Sequence, residues 1–465
     1  MLVAAKTRPG LDRVITKLAG RAVSIFHRVE CRGGPVPDGP VLITANHPNS
    51  LLDPLIVFRA SGRVARPLAK APLFEQAILG TVLRALGGLP VYRRQDDPAQ
   101  MHRNDETFSA AIGALEAGDA VQIFPEGRSH SEPTLVPLRT GAARIALAAE
   151  AAAGWQLGLR IVPLGITYRR KSLFRGNALA VIGDPFGIGD LRSLNESDPA
   201  AAVRTLTDRI AQRIQQVTLN LASHEDLELI ETADRLYARE KGLRAWRERE
   251  GMADRMPRLQ FFARGLAWLR AREPERHSRL ERTVRRYHRA LSLFGAAEAD
   301  VPTGYGTARV VRYVIREAAV LVIGLPFALL GAIVWAPAWW APRLAVHLIR
   351  PEFEAIATYK LATSFVVVPL TLAFVGTLAW WIAGPWIALA AVVTATLCGL
   401  AAIAWRERRE RVREDVRVFF RVLRNRRGAD RLASVRASLV AEFDEILALM
   451  DAEPDPVATP AQPAE

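Results

Sequence analysis

At 465 residues the chain exceeds one ordinary hydrophobic core, so a catalytic-sized domain plus a second part is expected. Hydrophobic residues reach 50% and mean hydropathy is slightly positive, yet 24% of residues are charged, so the apolar side chains must be segregated; they concentrate between residues 318 and 405. The 62 basic against 48 acidic side chains give a net charge of +14, which suits anionic membrane lipid or an acidic carrier protein. No nucleic-acid partner is expected, because no recognition motif, zinc spacing or aromatic-basic platform accompanies the charge. Cys31 and Cys398 lie far apart, so neither a disulfide framework nor a metal site is expected, and no cofactor is implied. Lys6, Arg8, Asp12, Arg13 and Lys17, with no apolar run among them, do not make a secretory signal, which places the expected catalytic part in the cytoplasm.

Residues 10 to 27 set Leu11, Val14, Ile15, Leu18, Ala22, Ile25 and Phe26 on one helical face, with Arg13, Lys17, Arg21 and Arg28 on or near the other. That spacing predicts an amphipathic helix, packed on its own domain or lying on a membrane surface. Residues 32 to 40, rich in Gly and Pro, predict a loop. From 41 to about 190, short apolar runs alternate with helical patterns. Strands are predicted at 41–45, 89–92, 121–124, 161–167 and 178–182, and helices at 53–60, 72–86, 105–117 and 139–152. The alternation implies an α/β domain with a mostly parallel sheet and its functional loops at strand ends.

Residues 200 to 300 predict helices. Leu206, Ile210, Ile214, Val217 and Leu221 recur at helical spacing, as do Leu227, Ile230, Ala233, Leu236 and Tyr237, while His224, His277 and His288 read as surface residues. Pro302 to Gly306 reads as a boundary, followed by apolar segments at 318–341, 362–383 and 386–405. Each is near the roughly 20 residues that span a bilayer. The last two, joined by Gly384-Pro385-Trp386 without charge, predict a spanning hairpin. The first, interrupted by Pro326, Gly331 and Pro337, predicts a segment that dips in and returns, with a full span as the alternative. Residues 406 to 427 set arginines around Val412, Val416, Phe419, Phe420 and Leu423, and a second amphipathic helix is expected at 430 to 450 before a disordered end. The expected parts are thus 1–32, a surface helix and lead-in; 33–220, the α/β domain; 221–305, a helical extension; 306–405, membrane-embedded helices; and 406–465, a basic tail.

The stretch from Ala45 to Pro54 follows the strand-like run Val41-Leu42-Ile43-Thr44, which puts His47 on a turn at a strand end. An imidazole there can take a proton from a substrate hydroxyl, and Asp53 can hold the ring in the correct tautomer and support the imidazolium. Downstream come Gly88-Leu89-Pro90-Val91-Tyr92-Arg93, Phe124-Pro125-Glu126-Gly127-Arg128-Ser129 and Ile161-Val162-Pro163-Leu164-Gly165-Ile166. In this order they resemble the four sequence blocks of the glycerophospholipid acyltransferase family over roughly residues 25 to 190. Five residues separate His47 from Asp53 where four are usual, as in a subset resembling the fungal glycerol-3-phosphate and dihydroxyacetone-phosphate acyltransferases.

The resemblance implies acyl transfer from acyl-CoA or acyl carrier protein to a glycerol phosphate or lysophospholipid hydroxyl, with His47 and Asp53 as catalytic dyad. It also implies an acceptor-phosphate site from Arg93 and the Glu126-Gly127-Arg128 turn. In that site Gly127 admits backbone close to the ligand, and Glu126 is placed to orient a substrate hydroxyl. Arginine suits phosphate because its fork makes two parallel charge-assisted bonds. Two other readings are carried: an acceptor such as another lysophospholipid or an amino-acid lipid, and an inert membrane-binding protein.

Overall fold

The computed structural model describes residues 17–18, 20–21, 23–93, 102–169, 171–241, 251–293, 307–424 and 426–452. The expectations for residues before 17, for the boundary at 302–306 and for the end after 452 fall outside these. The chain forms two compact units. One holds the residues up to His224 with Gly251–Met256 and Pro351–Thr358, and the other holds Glu225–Glu250, Pro257–Arg350 and the residues from Tyr359 on.

The first unit is built on a seven-stranded sheet of β1 (His27–Arg32), β2 (Val41–Ala45), β3 (Ala65–Lys70), β4 (Leu89–Val91), β5 (Ala120–Ile123), β6 (Arg160–Arg169) and β7 (Gly176–Ile182). The order is β1-β7-β6-β2-β5-β3-β4, and every neighbouring pair is parallel except β6 with β7. All five residues of β2 are buried, as a near-continuous apolar run in a sheet covered on both faces requires. Beneath it the helices Gly141–Ala152 and Pro199–Val217 bury Ile145, Ala146, Leu206 and Ile210 against Leu42, Val121 and Ile161. Each large side chain so buried contributes about 1.5–3 kcal/mol. Helix Pro199–Val217 starts where the Asp198 carboxylate accepts from Ala201 N at 2.9 Å, with proline in its first turn. Helix Asn104–Glu116 stops at Gly118, whose φ of 80° lets Asp119 N return to Ala114 O.

Two strands were not anticipated. β1 carries only Val29 and Cys31 as apolar residues and is a half-exposed edge, so no hydrophobic pattern marks it. β3 contains Pro67, which lacks the N–H of a central strand. The structure accommodates it by dividing the strand: Ala65–Pro67 pair with β5, and Leu68–Lys70 pair with β4. The helix expected over 72–86 is two, Pro72–Glu75 and Ala77–Ala85, broken at the extended Gln76.

In the second unit, helix Met252–Arg272 beyond Met256 and helix Arg426–Ala452 bring Phe262 edge-on to Phe443, with Leu266 and Ile446 buried alongside. His277, expected at the surface, is buried within this helical layer. Among the described residues, three helices are long and apolar enough to cross a membrane, over Val311–Val334, Phe353–Ala383 and Pro385–Arg413. Their outward faces carry Ile323, Ile333, Phe374, Trp381 and Trp386, all more than two-thirds exposed, a surface that water does not favour.

Helix Thr307–Val334 runs antiparallel to Pro385–Arg424. Glu317 pairs with Arg408, Trp405 Nε1 donates to Leu321 O at 2.8 Å, and Trp335 Nε1 donates to Ala395 O at 2.9 Å. The first helix therefore ends level with Ala395, roughly ten residues or about 15 Å short of the hairpin tip at Gly384-Pro385. The chain turns at Trp335 into helix Ala336–Ile349, and four residues on Trp339 already lies between the guanidinium groups of Arg343 and Arg406, at 4.0 and 4.3 Å. The expected turn within 318–341 is thus replaced by helices of 28 and 14 residues that turn at Trp335, not two legs of about ten.

Candidate active site

β2, β4 and β5 end on the same side of the sheet, and the loops beyond them carry the residues singled out in the sequence. The loop after β2 is tied down first. Asn46 Nδ2 donates to Ile166 O at 2.9 Å and its Oδ1 accepts from Ile166 N at 2.7 Å, so a side chain continues the β2–β6 ladder past the last residue of the strand. The chain then turns through Ser50 at φ 38°, a strained value for a residue with a Cβ, and enters helix Leu52–Ser61. This turn absorbs the longer spacing. Asp53, in the first turn of that helix and fully buried, reaches His47 Nδ1 with Oδ2 at 2.8 Å.

Three donors fix the Asp53 carboxylate. His47 Nδ1–H and Asn49 N–H, the latter at 2.6 Å, share Oδ2, and the Tyr168 hydroxyl donates to Oδ1 at 2.7 Å. With the Nδ1 proton committed to Asp53, His47 Nε2 is the acceptor, and it makes no hydrogen bond to any described residue. The imidazole lies face to face with Phe124 at 4.1 Å and 15°, and its side chain is 18% exposed. It is a ring held in one plane with one nitrogen free. Burial, then the charge of Asp53, pushes the Tyr168 phenol well above its ordinary value of 10.0, so it stays a donor across the physiological range.

Glu126, expected in the acceptor site, packs against the His47 loop. Its side chain is fully buried, and both oxygens are occupied: Oε1 accepts from His47 N at 2.7 Å, and Oε2 accepts from Val136 N at 3.2 Å and from His130 Nε2. His130 Nδ1 accepts from Glu132 N at 3.2 Å, which leaves the proton on Nε2 for Glu126. Glu126 therefore anchors the His47 loop to the β5 loop through three hydrogen bonds to its buried carboxylate. Gly127 turns at φ 71°, where a Cβ would stand 3.2 Å from Arg139 Cγ. Its carbonyl accepts from Arg93 Nη1 at 3.4 Å, so Arg93 and the Gly127 turn come together. Arg128 is exposed and makes no hydrogen bond or ion pair with any described residue. The two arginines flank one turn beside the His47 loop.

Sequence reasoning passed over Tyr168, Ser131, Lys171 and Glu354. Lys171 Nζ donates to Pro48 O at 2.8 Å and to Ser131 Oγ at 2.6 Å, and it lies 3.8 Å from Glu354 Oε1. Burial lowers its pKa, while Glu354 and then Asp53 pull in the opposite direction. The available signal was slight: Tyr168 is the polar aromatic at the end of the β6 run, and Lys171 follows three residues later.

Residues 28–167 match the family model described as acyltransferase. They are an acyltransferase domain. The chain is similar to glycerol-3-phosphate O-acyltransferase 2 of Saccharomyces cerevisiae, 34% identical over 135 residues that cover 29% of this chain and 18% of that protein. Glycerol-3-phosphate O-acyltransferase 1 of the same yeast is 33% identical over 126 residues, 26% of this chain and 16% of the relative. An uncharacterised acyltransferase of Schizosaccharomyces pombe is 24% identical over 300 residues, 46% of this chain and 44% of the relative. The chain thus spans less than half the length of each of these curated relatives. Among solved structures, the lysophosphatidic acid acyltransferase PlsC of Thermotoga maritima is 20% identical, with a TM-score of 0.31 over 44% of this chain and 83% of that one. The matched acyltransferase segment stops one residue short of Tyr168, so Tyr168, Lys171 and Glu354 all lie outside it.

Proposed function

We propose that the chain is a membrane-associated O-acyltransferase that moves a fatty acyl group from acyl-CoA or acyl carrier protein to a hydroxyl of glycerol 3-phosphate or lysophosphatidic acid. The observation that carries this reading is the His47–Asp53 pair, whose 2.8 Å hydrogen bond leaves Nε2 as a free acceptor on a fixed ring. In the reaction the acceptor oxygen attacks the thioester carbonyl carbon as its proton passes to His47 Nε2. The carbon–sulfur bond then breaks, and the leaving thiolate takes that proton from the imidazolium. Ester and free thiol result, with no covalent enzyme intermediate. General base catalysis of this kind contributes about 10²- to 10⁴-fold.

Arg93 and Arg128 supply positive charge for the acceptor phosphate, with the exposed Arg128 fork free for two parallel bonds. Glu126 acts on the reaction through the loop that it holds. The three apolar helices support membrane association. Arg312, Arg316, Arg343, Arg350, Lys360 and the arginines from Arg406 on flank the apolar segments at the ends opposite the Gly384-Pro385-Trp386 tip, which favours the cytoplasmic side for those ends.

Incubating the purified full chain in lipid with labelled acyl-CoA or acyl carrier protein and a panel of acceptors tests the reading. Labelled lysophosphatidic or phosphatidic acid is expected. Transfer only to acceptors lacking a phosphate would remove the proposed work of Arg93 and Arg128, and absence of transfer from either donor would remove the enzyme reading.

A further inference from the structure

Beside the His47 turn a cation and a carboxylate from beyond the acyltransferase match meet a hydroxyl from within it. The cation is Lys171, with its side chain 11% exposed, and its ammonium donates to the carbonyl of Pro48, the residue after His47. A second N–H goes to Ser131 Oγ, whose own hydroxyl donates to Glu354. The carboxylate comes from far along the chain, on the short segment Pro351–Thr358 that belongs to the same compact unit. Phe353 of that segment places its ring 4.8 Å from the ammonium, and Leu51 N donates to Thr358 Oγ1 at 3.3 Å.

We propose that Lys171 and Ser131 form a binding subsite for a phosphate monoester beside the proposed base, and that Glu354 fills this subsite in the structure as an internal carboxylate plug. The proposal rests on the acyltransferase reading for what the phosphate belongs to, and on the contacts above for the subsite itself. A 3.8 Å lysine–carboxylate contact returns little of what it costs to take two charges from water, so the pair is weak evidence of a purely stabilising role. A phosphate monoester carries about 1.5 to 2 negative charges and three strong acceptor oxygens. It can therefore accept from the ammonium and from the Ser131 hydroxyl together, and it outcompetes a single carboxylate for them. Lysine binds phosphate as a point charge, and its position next to Pro48 puts that charge one residue from His47. Arg93 and Arg128 stand at the Gly127 turn, so cations are available on two sets of loops around one imidazole, and the proposed reaction has two phosphate-bearing substrates.

Binding of inorganic phosphate and of glycerol 3-phosphate to the full chain in detergent, followed by ³¹P line broadening or calorimetry, tests the subsite without turnover. Glu354→Gln keeps the size of the plug and removes its charge, and it is expected to tighten phosphate binding about tenfold. Lys171→Met is expected to weaken it by at least about as much, and Ser131→Ala, a smaller change to the fold, to weaken it in the same direction. Unchanged affinity in Glu354→Gln and Ser131→Ala, with thermal melts as in wild type, overturns the proposal. Steady-state kinetics then identifies the source. A rise in acceptor KM alone in Ser131→Ala assigns the subsite to the acceptor phosphate, and a rise in acyl-CoA KM alone assigns it to the donor. Failure of acyl transfer with every donor would sink the enzyme reading and leave the phosphate measurement to decide the subsite independently.

Discussion

Asp53 is the side chain on which most of the site converges, because three donors meet on its two oxygens inside a fully buried position. A His47→Ala variant is expected to lose more than about 90% of transfer while remaining folded, with Asp53 still held by Asn49 N and the Tyr168 hydroxyl. Asp53→Asn retains size and loses the charge behind the imidazolium, and a large but smaller drop in kcat is expected. Tyr168→Phe removes one donor from Asp53 without touching the reacting atoms. It should lower kcat about tenfold with both KM values unchanged and shift the acidic limb of the pH–rate profile, a shift that a merely structural tyrosine would not produce. His27, stacked edge-on against Tyr168, is held by burial at about 4, below its ordinary 6.5, despite the hydrogen bond to the Lys171 carbonyl that raises it. The unfolded chain binds this proton more readily, so the neutral ring's contribution is fully present above pH 6.5 and is lost as pH falls toward 4. A change of up to about 3 kcal/mol is involved. Urea midpoints measured between those two pH values should fall with pH in wild type and flatten in His27→Gln; equal slopes would place the proton elsewhere.

At the scale of elements, close backbone approach explains two glycines. A Cβ at Gly165 in β6 would lie 2.0 Å from Val217 O at the end of helix Pro199–Val217. A Cβ at Gly331 would lie 2.1 Å from Cys398 O, where helix Thr307–Val334 meets Pro385–Arg424. Gly165→Ala is expected to destabilise the sheet unit by about 1–3 kcal/mol through forced backbone separation, seen as an earlier melting transition. Gly331→Leu should instead loosen the apolar helix pair, read as a lower aggregation temperature in detergent with binding of soluble ligands unchanged. Small residues let apolar helices pack where burial from water gives no drive. β2 was legible because its five buried residues form an apolar run broken only by Thr44, whereas β1 and β3 take their conformation from partners that only the sheet order reveals. The helical periodicity of Leu206, Ile210 and Ile214 likewise marked a buried face in advance, since all three are in the core.

For the whole molecule the decisive feature is the return of the chain at Trp335. A first helix that stops level with Ala395 and a second that brings Trp339 back beneath Arg406 put Arg343 to Arg350 at the end of the bundle where Arg316 and Arg408 lie. Single cysteines between Arg343 and Arg350, in a chain lacking Cys31 and Cys398, are expected to resist an impermeant reagent applied outside intact cells. A cysteine at Gly384 should react. Labelling between Arg343 and Arg350 with protection at Gly384 would mean that Thr307–Val334 crosses fully and that the basic tail lies opposite the acyltransferase domain.

The sequence by itself determined the alternating α/β pattern, the apolar segments and the order of the His47, Glu126 and Arg128 loops, because these are written in local periodicity and in residue types that few turns tolerate. It also supplied His47 and Asp53 as a pair. The contacts of Glu126 came only from tertiary structure, since the sequence cannot show that its oxygens accept from His47 N, Val136 N and His130. The same holds for Lys171, Ser131 and Glu354, whose meeting depends on segments 40 and 223 residues apart. A contact between groups so far separated leaves no periodic trace in the chain; it exists because the sheet order and the turn after Arg350 bring those segments to one place.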